Sequence, residues 1–168
     1  MYRVAVVTLS DKGYAGERED KSGELIREIM QNAGYEPVCY TLLPDDRALI
    51  SEELRRICDN DIADLILTTG GTGFSARDIT PEATQDIIER AVPGIPEAMR
   101  YASLRITPYA MLSRGTAGIR KKTLVVNLPG SPKAVRENLA CALPAFGHGL
   151  AVLRGEASEC ARTLAPND

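Results

Sequence analysis

Four apolar runs of strand length each lead into a polar or glycine-rich segment. They are YRVAVVTL (2–9), PVCYTLL (37–43), DLILTT (64–69) and TLVVNL (123–128). The stretches between them carry helical periodicity, so strands and helices alternate along most of the chain. That alternation predicts an α/β fold, a three-layer α/β/α sandwich with a mostly parallel central sheet. With 168 residues, 44% of them hydrophobic, the chain can bury one sizeable core and is short for two. A single domain over 1–168 is therefore expected.

In KSGELIREIMQNAGY, residues Leu25, Ile26, Ile29, Met30 and Ala33 share one helical face, and Gly34 is a natural stop. A helix from about residue 47 should turn Leu49, Leu54, Ile57 and Cys58 inward. Thr80 reads as the N-cap of a helix with Pro81 in its first position and an end near Ala91. A second short helix follows over 93–106. YAMLSRGTAGIRKKTLVVNL reads as two strands around a turn. Pro129-Gly130-Ser131-Pro132 opens a long final helix, which Pro144 could kink, and LAPND is expected to fray.

The net charge is -3, from Lys+Arg 20 against Asp+Glu 23, and the densest basic stretch is only Arg120 to Lys122. Nucleic acid is thus a poor fit as partner. The four cysteines form no C-x-x-C pair and His148 is the only histidine, which disfavours a zinc site. The first apolar run is too short for a signal peptide or a membrane span. A cytoplasmic protein with reduced, packed thiols and a structural His148 is the expectation.

In parallel sheets, ligands bind beyond the carboxyl ends of the strands. TLSD, LLPDD, TTGGTG and NLPGSP should meet there, and polar residues and glycines concentrate in them. The glycine segment TTGGTGFSARDITPEAT lacks the lysine of a P-loop. Gly71, Gly73 and Ala76 match a dinucleotide turn literally. The turn follows the third strand rather than the first, however, and PGIPEAM stands where a ribose-binding carboxylate is required. A plain strand-to-helix bend is the simpler reading. Against it, Gly70, Gly71 and Gly73 together cost backbone entropy that a bend need not spend, and they expose N–H groups suited to an anion.

NLPGSPK has the same strand-loop-helix setting, with the Asn127 side chain, the Ser131 hydroxyl and the Lys133 charge, and an ordinary proline-glycine turn competes as its explanation. Asp45 and Asp78 would repel phosphates at this edge unless Mg²⁺ bridged them, since Mg²⁺ takes one or two carboxylates plus phosphate oxygens. Asp45 or Asp46 could equally serve helix entry. Asp78 lies two residues before the expected cap, so capping explains it less well.

TTGGTGFSARDITPEAT, PYAMLSR, GIRKKTLVVNLPGSPKAV and TLSDKG…DKSG resemble the molybdopterin adenylyltransferases. These comprise the Mog-type enzymes and the G domains of Cnx and gephyrin, with the MoaB-type proteins as relatives. The likeness runs from about Val4 to about Leu153. It implies a homotrimer that transfers AMP from MgATP to the molybdopterin phosphate and releases pyrophosphate, as one step of molybdenum cofactor biosynthesis. The alternative is a MoaB-like protein that binds molybdopterin without turnover. By motif, Asp45 and Asp78 correspond to two essential aspartates, read here as Mg²⁺ organisers. Ser10, Thr69, Gly70, Gly71, Thr72 and Gly73, with Asn127, Pro129, Gly130 and Ser131, correspond to nucleotide and pterin-phosphate contacts. Ser113 and Arg114 correspond to the pterin side, and Lys133 or Arg114 would hold phosphate oxygens. No second domain of the molybdate-inserting type is expected in the chain, so a separate downstream protein would insert molybdate.

Overall fold

The computed structural model describes residues 1–156. Cys160 and the expected fraying of LAPND lie outside them. Strands β1 (Arg3–Leu9), β2 (Glu36–Leu43), β3 (Leu65–Thr69), β4 (Arg90–Ala91), β5 (Ala117–Arg120) and β6 (Thr123–Leu128) form one sheet in the order β2-β1-β3-β6-β5-β4. The β2, β1, β3 and β6 pairings are parallel, and β4 and β5 add an antiparallel edge.

The helices are α1 (Asp11–Tyr14), α2 (Lys21–Asn32), α3 (Arg47–Asp59), α4 (Thr80–Gln85), α5 (Gly94–Leu104) and α6 (Pro132–Arg154). A 3-10 turn spans Pro108–Leu112. Alternate strand residues feed two cores, as the two-residue period of a strand requires. Val4, Val6, Leu65, Leu67, Leu124 and Val126 pack with Ile26 and Met30 of α2 and with Leu139 and Phe146 of α6. Ala5, Val7, Ile66 and Val125 pack on the other face with Ile50, Leu54 and Ile57 of α3 and with Ala83 of α4. Two apolar faces on one mostly parallel sheet give the three layers expected from the sequence.

The differences from expectation are local. Ile50, not Leu49, takes the inward position at the start of α3, and Leu49 is exposed. Thr80 is the first residue of α4 rather than its cap. Its hydroxyl donates to the carbonyl of Gly70 at 2.9 Å, and Ile79 occupies the cap position with no side-chain bond. The helix stops at Gln85, because the chain must turn to reach β4. Only Ala117–Arg120 of the expected first strand is a strand. Pro108 opens the 3-10 turn instead, capped by the Thr107 side chain. Lys121, at φ 51°, makes the expected turn between β5 and β6. Pro144 lies inside α6 without ending it. Cys39, Cys58 and Cys141 are free thiols, and His148 is exposed on α6.

Candidate active site

The carboxyl ends of β1, β2, β3 and β6 open into a cleft of about 810 Å³. Ser10, Asp45, Thr69, Gly70, Gly71, Asp78, Gly130 and Ser131 all line it. Eight of the expected site residues are thus brought together by four separate loops.

The two glycine-bearing loops hold each other. Thr69 Oγ1 donates to the carbonyl of Pro129 at 2.7 Å, and the N–H of Gly70 donates to that of Leu128 at 3.3 Å. A Cβ at Gly70 would stand 2.3 Å from the carbonyl oxygen of Leu9, with φ at +97°, so only glycine fits there. Among the described residues, the N–H groups of Gly71, Thr72, Gly73, Gly130 and Ser131 donate to no protein acceptor. Unpaired N–H groups on successive residues beside a cleft are an anion-binding surface.

Asp45 supplies the opposite charge. Its Oδ2 accepts from the N–H of Asp11 at 3.1 Å, whereas its Oδ1 is buried without a partner. Burial, with Asp11 and Asp78 nearby, raises its carboxyl above the ordinary value. Asp78 Oδ2 accepts from the N–H of Ser75 at 2.8 Å, closing a tight turn after the glycines. An orphaned carboxylate oxygen in the same cleft as a second carboxylate and free N–H groups suits a divalent cation bound together with phosphate. No group of three or more His, Cys, Asp or Glu side chains that could hold a metal occurs among the described residues. Mg²⁺ sites completed by substrate phosphates need only one or two carboxylates.

A second cavity, of about 280 Å³, lies on the other side of the glycine loop. Thr72, Gly73, Ser113, Asn127 and Pro129 line it, together with Met99, Tyr109 and Leu112. Asn127 borders this space, but its amide is engaged by the fold. Nδ2 donates to Thr68 at 3.0 Å and to Thr84 at 2.9 Å, and Oδ1 accepts from the N–H of Thr116 at 3.1 Å.

Arg114 is likewise engaged. Its Nε donates to the carbonyl of Gly73 at 2.7 Å, Nη2 to that of Asp78, and Nη1 pairs with Glu82. Burial would push the Glu82 carboxyl up, and Arg114 brings it below its ordinary value. The guanidinium therefore clamps both ends of the 73–78 turn. Lys133 is not brought to either cavity; its ammonium stands 3.8 Å from Glu137 on the exposed face of α6.

Sequence reasoning missed one wall of the cleft, which Arg18, Asp20, Lys21 and Ser22 provide. Asp20 caps α2 through the N–H of Gly23 at 2.9 Å. It also accepts from the hydroxyls of Thr8 at 2.5 Å and Tyr40 at 2.7 Å. Ser22 reaches the carbonyl of Gly130 at 2.8 Å. An aspartate three residues before a helical glycine was a readable cap signal; its hydroxyl partners come from distant strands.

Residues 5–148 match the family described as "Probable molybdopterin binding domain". The molybdopterin adenylyltransferase of Helicobacter pylori is 42% identical over 154 residues, covering 90% of this chain and 88% of that one. That of Escherichia coli K12 is 40% identical over 139 residues, covering 82% and 71%. The crystal structure of the molybdopterin biosynthesis enzyme MoaB from Thermus thermophilus superposes with a TM-score of 0.87 at 49% identity. It covers 92% of this chain and 98% of that one.

Proposed function

The chain belongs to the probable molybdopterin binding domain family, and from that premise we propose that it is a molybdopterin adenylyltransferase of molybdenum cofactor biosynthesis. The observation that carries the proposal is the shared cleft: Asp45, with its orphaned Oδ1, and Asp78 line it together with Gly71, Gly130 and Ser131, whose N–H groups are unpaired. Carboxylates and anion donors in one cleft suit a magnesium nucleotide.

The reaction joins the terminal phosphate of molybdopterin to the α-phosphorus of ATP and expels pyrophosphate. A phosphate monoester has a second pKa of about 6, so at neutral pH it is already a nucleophile. No general base is required, and positioning with charge neutralisation supplies the catalysis. Asp45 and Asp78 would hold Mg²⁺, which when bound neutralises phosphate charge. The N–H groups of Gly71, Thr72 and Gly73 hold phosphate oxygens, and those of Gly130 and Ser131 hold the second phosphate group. The smaller cavity, with Ser113, Met99, Tyr109 and Leu112, takes the flat pterin. Arg114 and Asn127 position the loops without touching the phosphates.

Two cores on a single sheet support one catalytic domain for the chain. A homotrimer is part of the proposal. Tyr101, Ile106, Tyr109 and Met111 are exposed along the end of α5 and the 3-10 turn, an apolar surface that a second copy would cover. A cytoplasmic location and a separate downstream molybdate-inserting protein complete it. No described helix is long and apolar enough to cross a membrane.

Incubation with molybdopterin, ATP and Mg²⁺, followed by mass spectrometry, tests the reaction. Adenylylated molybdopterin is the expected product. Bound but unmodified pterin would move the protein to the binding-only reading.

A further inference from the structure

Arg77 and Asp11 form a two-bonded ion pair at the cleft rim, with Nε 2.9 Å from Oδ2 and Nη2 2.9 Å from Oδ1. Asp11 in turn exchanges hydrogen bonds with Asp45. The N–H of Asp45 donates to Asp11 Oδ1 at 3.0 Å, and the N–H of Asp11 donates to Asp45 Oδ2 at 3.1 Å. Arg77 is also the residue next to Asp78. One guanidinium thus ties the loops after β1, β2 and β3 together, with both expected metal-holding carboxylates at its ends.

Stability is a weak reason for this pair to exist. The Arg77 and Asp11 side chains are 62% and 44% exposed, and exposed ion pairs contribute little to folding. Asp11 and Asp78 also each lie close enough to Asp45 to disfavour its charge, a crowding that does nothing for folding. The geometric consequence is specific: one oxygen of Asp45 is fixed and the other is left buried and free.

We propose that Arg77 and Asp11 are positioning residues that fix the Asp45 carboxylate so that its Oδ1 is available to the divalent cation of the nucleotide complex. The inference rests on the adenylylation reading. Partners that orient a metal-holding group commonly change metal affinity by about 10–100-fold when removed.

The test measures Mn²⁺ binding by electron paramagnetic resonance in the presence of the α,β-methylene analogue of ATP, for the wild-type chain and for Arg77→Gln and Arg77→Lys. The expected result is roughly tenfold weaker Mn²⁺ binding in Arg77→Gln. Arg77→Lys, which keeps the charge but loses the fork, should rescue it only in part. The thermal midpoint of the apoprotein should stay within about 4 °C of wild type. In turnover, the Mg²⁺ concentration for half-maximal rate should rise while the rate at saturating Mg²⁺ recovers. Unchanged Mn²⁺ affinity in Arg77→Gln, with the wild type binding normally, overturns this inference alone. A wild-type chain that binds no Mn²⁺–nucleotide overturns the adenylylation reading and this inference with it.

Discussion

Gly71 lies directly against Asp45: a Cβ at Gly71 would stand 3.2 Å from Oδ1 of Asp45 and 2.3 Å from Oγ1 of Thr80. The glycine also has φ at +64°, where a side chain costs roughly 1–2 kcal/mol. Gly71→Ala must therefore displace the Thr80 hydroxyl that holds Gly70 and also press the Asp45 carboxylate aside. It should lower urea-unfolding stability by at least about 1 kcal/mol. Pyrophosphate release should fall by about a hundredfold, the scale of a 1 Å misplacement at a reacting centre. Full activity in this variant would show that the cleft tolerates a shifted Asp45.

Asp45 itself should show a conflict between stability and function. Burial raises its carboxyl above the ordinary value, so the ionised form destabilises the apo fold at neutral pH. Asp45→Asn removes that cost. Its apo thermal midpoint at pH 7 should equal or exceed that of wild type. The difference should shrink as the pH falls through the raised pKa, because the wild-type group then becomes neutral in the fold as well. Thermal scans from pH 7 to pH 4 measure this directly. A variant that is less stable at pH 7 would contradict the assignment of burial as the main cause.

The Arg114 clamp predicts a different signature. Arg114→Ala frees the carbonyls of Gly73 and Asp78 and leaves Glu82 without its cation. The 73–78 turn lies at the cleft rim, so catalysis should suffer more than folding. A loss of about a hundredfold in kcat/KM is expected, with a fall of about 1–3 kcal/mol in stability. Arg114→Lys should recover little, because one ammonium cannot serve three acceptors in a fork. Equal recovery with lysine would indicate that charge alone matters.

Asp20 is expected to carry the unanticipated wall of the cleft. Asp20→Ala loses the α2 cap and strands the hydroxyls of Thr8 and Tyr40, so a cost of about 1–3 kcal/mol is expected by urea unfolding. Burial, then the hydrogen bond to Asp20, pushes the Tyr40 phenol up to about 12. Asp20→Asn should lower that value, read as the difference in alkaline absorbance titration against the same variant carrying Tyr40→Phe. An unmoved titration would mean that burial alone sets it.

The sheet and the glycine loop were legible because their signals are local. Apolar runs such as DLILTT announce a buried strand, and Gly70, Gly71 and Gly73 announce a backbone that must approach something closely. Asp78 was legible as a carboxylate that capping explains poorly, whereas Asp45 read equally as a helix-entry residue and as a metal organiser. Arg114, Asn127 and Lys133 read as ligand contacts because a cation or an amide beside a phosphate loop invites that role. The partners that engage Arg114 and Asn127 (Glu82, Thr68, Thr84 and Thr116) are brought near only by tertiary folding. Thr80 misled for the same reason: a threonine before proline is a good cap locally, and the carbonyl of Gly70 outcompetes that use. The Arg77–Asp11 bridge spans 66 residues and has no local signature.

The central claim is that the cleft holding Asp45 and Asp78 is where a magnesium nucleotide reacts with the pterin phosphate. Pyrophosphate release with molybdopterin, ATP and Mg²⁺, compared between the wild-type chain and Asp78→Asn, tests it most directly. The account predicts Mg²⁺-dependent release by the wild type and loss of release by the variant, with apo folding retained. Undiminished release by Asp78→Asn, or release by the wild type that is indifferent to chelation of Mg²⁺, would contradict it.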